Sequence, residues 1–165
     1  MSSLSLPVPT LGVPRIGARR ELKSALEGYW SGRIDGPQLL ATAASLRAAH
    51  WARQQALGVT VIPSNDFSLY DHVLDTSVMV GAIPEIYGWT GGKVSLATYF
   101  AMARGAEVSA GKEGHGPACG CAASQAGVPA LEMTKWFDTN YHYMVPEFER
   151  GQAFSLASTK PLDEF

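Results

Sequence analysis

VTVIPSNDFSLYDHVLDTSVMVG (59–81) decides the fold class. Its opening, VTVIPSN (59–65), is β-branched and then turns, which predicts a buried strand followed by a loop. FSLYDHVLDTSVMVG (67–81) changes period: Phe67, Tyr70, Val73 and Leu74 share one face at helical spacing. A strand that passes through a short turn into a helix belongs to an α/β arrangement rather than to an all-α bundle.

Upstream, ARRELKSALEGYW (18–30) places Leu22, Ala25, Leu26 and Tyr29 on a helical stripe. SGRIDGP (31–37) breaks it. A longer helix is expected from Pro37 to Ala56, with proline in its first turn, Gly58 at its end and Leu39, Leu40, Ala43 and Leu46 as core stripe. Residues 1–10 read as an extended arm outside any core. Downstream, YGWTGG (87–92) is a turn and VSLATYFAMARG (94–105) a further helix. Residues 106–130 are dominated by glycine, alanine and serine and read as a long flexible loop. LEMTKWFDTNYHYMVPEF (131–148) then sets five aromatics between Trp136 and Phe148, with Tyr141 and Tyr143 alternating as on a strand face. FSLAS (154–158) reads as the next strand.

The chain has 165 residues, enough for one domain and too few for a complete (β/α)₈ barrel of about 250. Thirteen basic against 15 acidic residues leave a net charge of −2, so no general basic field invites nucleic acid and any anion site must be local. No stretch of 18 apolar residues predicts a membrane span. MSSLSLPVPTLG (1–12) has no basic start and no apolar run of seven, unlike a secretory signal. Cys119 and Cys121, with one residue between them, disfavour a mutual disulfide. The expectation is a cytoplasmic protein in a reducing compartment.

Chemistry concentrates in two places. Arg15, Arg19, Arg20 and Lys23 crowd the start of the first helix with Glu21 as local offset. Cations there oppose the helix dipole at about 0.3–1 kcal/mol each, and a bound carboxylate or phosphate would reverse the sign. A solvated basic turn and an anion site both fit these residue types. The second cluster is Lys135, Trp136, Asp138, Asn140, His142 and Tyr143: charge, paired donor and acceptor, and a flat apolar face suit a heteroaromatic ligand with an acidic tail. A strand with core aromatics and polar ends fits them too. Asn65, Asp66, Asp71 and His72 lie at a predicted strand end, where α/β proteins place sites, with His72 read as structural. His50 reads as packing or surface. His115, Cys119 and Cys121 have metal-ligand chemistry without a usual zinc spacing or an evident fourth ligand.

LGVPRIGARRELKSALEGYW (11–30), IPSNDFSLYDHVLDTSVMVGAIP (62–84) and EMTKWFDTNYHYMVPEF (132–148) resemble, in order, the start of cobalamin-independent methionine synthase. The resemblance implies transfer of a methyl group from 5-methyltetrahydropteroyltriglutamate to homocysteine, giving methionine. It implies a fold of two facing (β/α)₈ barrels, of which residues 11–165 would be part of the first. It also implies folate contacts at Arg20, Glu21, Leu22, Lys23, Lys135 and Asn140. The zinc of the family is held by one histidine, two cysteines and a glutamate of the second barrel, which have no counterpart here; Cys119 and Cys121 are not those ligands. The 106–130 stretch is longer than the family's usual link. Homocysteine needs zinc to become a thiolate, and the folate amine needs protonation to leave. The 165-residue chain is therefore expected to hold folate without catalytic residues of its own, and the open edges of a partial barrel to favour association. Two other readings remain: a stand-alone module for folate or another polyanion, and a metal-responsive protein built on His115, Cys119 and Cys121.

Overall fold

The protein is described by a computed structural model that covers residues 6–106 and 127–165. His115, Cys119, Cys121 and most of the expected 106–130 loop lie outside the described residues. Helices predominate, with one small sheet, and the described chain divides into two compact units, 6–69 with 161–165 and 70–106 with 127–160. Among the described residues, no helix is long and apolar enough to cross a membrane.

In the first unit, α1 (Glu21–Trp30) packs against α2 (Gly36–Ala56). The α1 stripe is as expected: Leu22, Ala25, Leu26 and Tyr29 are buried. Each fully buried leucine contributes about 1.5–3 kcal/mol. Helix α2 starts on a closed capping box, in which Asp35 accepts the Gln38 N–H at 2.8 Å and Gln38 Oε1 accepts the Asp35 N–H at 2.9 Å. Leu39 and Ala43 are buried, whereas Leu40, expected in the stripe, is half exposed. Arg47 lies over the Phe67 ring at 5.5 Å and pairs with Glu164 at 3.2 Å.

The strand expected at 59–65 reduces to an isolated parallel bridge between Pro9 and Val61. Thr60 and Val61 both donate their N–H groups to the Val8 carbonyl, and Val8 N–H donates to Thr60 Oγ1 at 2.7 Å. Pro7, Pro9 and Pro63 have no N–H, so the ladder cannot lengthen. The expected arm is thus partly paired, at residues 8–10.

In the second unit, α3 (His72–Met79) is shorter than the 67–81 periodicity because Asp71 caps it, accepting the Leu74 N–H at 2.8 Å. A 3₁₀ turn (Glu85–Tyr87) and α4 (Leu96–Arg104, capped by Ser95) follow. The ends of the glycine-rich stretch meet in an antiparallel bridge between Ala106 and Val128. Strands β1 (Met133–Lys135) and β2 (His142–Met144) form an antiparallel hairpin, pairing Met133 with Met144, Thr134 with Tyr143 and Lys135 with His142. FSLAS is not a strand. Ser155 and Ala157 donate to the carbonyls of Val80 and Met79, at the end of α3, so no second strand lies alongside. The short helix α5 (Lys160–Asp163) closes the described chain.

Candidate functional site

The first cluster surrounds the start of α1. Residues 16–20 make a tight turn in which Arg20 N–H donates to the Gly17 carbonyl at 3.2 Å and Leu22 N–H to the Ile16 carbonyl at 3.1 Å. Arg20, at the N-cap, has φ 62° and ψ 35°, in the left-handed region, and its side chain does not cap the helix. A non-glycine residue held there costs about 1–3 kcal/mol and is tolerated where the surroundings require it. Arg19 pairs with Glu21 at 3.3 Å and Lys23 with Glu27 at 3.2 Å, while Arg15 is half-buried. Arg20 is exposed, and its side chain makes no hydrogen bond or ion pair with any described residue. Leu22 is fully buried, so its side chain serves the core. Hydrogen bonds from backbone N–H groups, its own and that of Arg19, hold the Glu21 carboxyl below the ordinary carboxylate range; the Arg19 guanidinium adds to this and partial desolvation opposes it.

The second cluster is the β1–β2 hairpin. Trp136 N–H donates to the Tyr141 carbonyl at 2.7 Å, and Thr139 closes the loop by donating its hydroxyl to the Trp136 carbonyl at 2.6 Å and accepting Tyr141 N–H at 3.1 Å. Phe137 occupies the left-handed region at φ 51° and is 81% exposed. Trp136 meets Phe137 and Tyr143 edge-to-face, with centroids 5.4 and 5.2 Å away. The aromatics therefore ride on the hairpin instead of filling a core. Lys135 ends β1 and Asn140 precedes β2; both are exposed, and the side chain of neither bonds to a described residue. The hairpin is anchored by Asp71, whose carboxylate accepts both Leu74 N–H and Met144 N–H, the latter at 3.2 Å. His72 is exposed at the first position of α3.

Arg20, Glu21, Leu22 and Lys23 thus stand together in one unit, and Lys135 and Asn140 in the other. Asp71 as the hairpin's anchor was not visible in the sequence, because its partner lies 73 residues away.

The two clusters are thus exposed cations on a strained turn before α1 and a single exposed cation, Lys135, on an aromatic hairpin. Residues 8–165 match the family described as "Cobalamin-independent synthase, N-terminal domain". The chain belongs to this family. Relatives carrying the name 5-methyltetrahydropteroyltriglutamate–homocysteine methyltransferase include one from Rhodopseudomonas palustris, 69% identical over 99% of this chain, and one from Caulobacter vibrioides, 65% identical over 98%. A third, from Salinibacter ruber, is 56% identical over 94% of the chain. The chain spans about a fifth of the length of these relatives: 21% of the first two and 19% of the third. Zinc, which the resemblance implies for the family, finds no seat in the described part of this domain: among the described residues no three His, Cys, Asp or Glu side chains group so as to hold a metal ion.

Proposed function

We propose that this chain is the N-terminal, folate-contacting part of a cytoplasmic cobalamin-independent methionine synthase, the enzyme that moves a methyl group from 5-methyltetrahydropteroyltriglutamate to homocysteine. The observation that carries this reading is the start of α1, where an exposed arginine is held in a costly backbone conformation beside three further cations. A triglutamate tail is a string of carboxylates, and Arg20 and Lys23 offer charge-assisted hydrogen bonds to it. Lys135 offers another, while Asn140 supplies donor and acceptor to a polar ring. The parallel bridge between Pro9 and Val61, separated in sequence by two helices, supports the start of a (β/α)₈ barrel, since parallel pairing needs such a crossover.

These residues bind and orient the methyl donor. Forming the homocysteine thiolate and protonating the departing folate amine fall outside what they supply, so the 165-residue chain alone is expected to bind folate without forming methionine. Titrating the purified chain with triglutamyl and monoglutamyl 5-methyltetrahydrofolate tests the reading. The triglutamate should bind more tightly, and Lys23→Ala should narrow the gap. Equal affinity for the two ligands, or none for either, would overturn it. Methionine formation by the chain with zinc and both substrates would overturn the expected inactivity.

A further inference from the structure

The family resemblance puts Glu21 among the residues at the folate, yet its carboxylate is already engaged within the chain. One oxygen accepts the Arg19 backbone N–H at 2.9 Å, and the other accepts Arg19 Nε at 3.3 Å. The carboxylate also lies against Gly17: a Cβ added there would run into Glu21 Oε2, and Gly17 itself holds φ 84°. These contacts span the turn that ends in Arg20. The same turn is closed by Arg20 N–H on the Gly17 carbonyl and Leu22 N–H on the Ile16 carbonyl. A carboxylate at this end of a helix is also favoured by the helix dipole. Beside a polyanionic ligand, a carboxylate in direct contact would repel; folded back on Arg19 N–H, it shapes the turn instead.

We propose that Glu21 is a positioning residue: it locks the 16–20 turn through Arg19 N–H, and this lock holds Arg20 left-handed with its guanidinium free for a ligand carboxylate. The inference rests on the folate reading above and assigns Glu21 a place in it that involves no ligand contact.

The test uses the 165-residue chain with Glu21→Gln, Glu21→Ala and Gly17→Ala, titrated with triglutamyl 5-methyltetrahydrofolate. Hydrogen exchange at the Arg19 amide is followed without ligand. Glutamine keeps an acceptor for Arg19 N–H, so Glu21→Gln should stay within about twofold of the parent affinity, with Arg19 still protected. Glu21→Ala should lose about tenfold, with faster Arg19 exchange. Gly17→Ala, which crowds the carboxylate away, should lose as much, and the double variant no more than either alone, because both remove one lock. Equal losses in Glu21→Gln and Glu21→Ala with Arg19 exchange unchanged would overturn the proposal, since Glu21 would then touch the ligand. Additive losses, or unchanged affinity in Glu21→Ala, would overturn it too. The Gln and Ala pair decides the matter even if Gly17→Ala fails to fold. If the parent binds no triglutamate, the folate reading fails by itself, and Arg19 exchange in Glu21→Ala still shows whether Glu21 holds the turn.

Discussion

Helices α1 and α2 pack on each other and begin in opposite ways. The second opens on a reciprocal capping box with proline in its first turn, and side chains accept the Asp35 and Gln38 N–H groups there. The first opens on an arginine in the left-handed region, without a side-chain cap, among cations that its dipole disfavours. A cap is worth about 1 kcal/mol and each misplaced cation costs a few tenths or more. One start is arranged for stability; the other gives stability up to display charge.

Leucine-to-alanine replacement within α1 gives the largest expected effect. Leu22→Ala should lower unfolding free energy by about 2–5 kcal/mol in denaturant titration, whereas Lys23→Ala, one residue along, should change it by less than about 0.5 kcal/mol. A comparable loss in both would erase the division between a core face and a charge-bearing start. Arg20→Gly sharpens the contrast: glycine accepts φ 62° without penalty, so the melting temperature should hold or rise. Triglutamyl folate affinity should meanwhile fall about tenfold, roughly 1.4 kcal/mol. Asp35→Ala is the mirror experiment. It should cost about 1 kcal/mol of stability through the lost capping box and leave folate affinity unchanged by calorimetric titration. The smallest effect is expected from Glu27→Gln, which releases Lys23 from its partner and should tighten triglutamate binding two- to threefold, about 0.5 kcal/mol.

Periodicity carried α1, whose buried Leu22, Ala25, Leu26 and Tyr29 repeat at helical spacing over two turns. Proline in the first turn and glycine beyond the end marked α2, whose stripe is buried at Leu39 and Ala43. Composition misled at 59–65 and 154–158, where β-branched or apolar residues say nothing of whether a neighbour with free N–H groups lies alongside. Prolines 7, 9 and 63 held the decisive information for the first. Leu40 shows the same limit within a helix: its spacing fits the stripe, but about half of it stays exposed. At the site, the crowding of cations before α1 was plain from residue types alone. The left-handed Arg20 was not, since an arginine gives no sign of positive φ; only Gly17, three residues earlier, hinted at a turn. The folded-back Glu21 and the anchoring Asp71 both depend on three-dimensional closure that no local pattern encodes.

The pairing of Lys23 with Glu27 has one more consequence. A ligand carboxylate that reaches Lys23 displaces a carboxylate tethered one helical turn away, instead of setting a loosely held chloride free. Fewer small ions then enter solution than there are positive groups engaged, so rising ionic strength should weaken binding less steeply than the number of basic side chains around the turn would dictate.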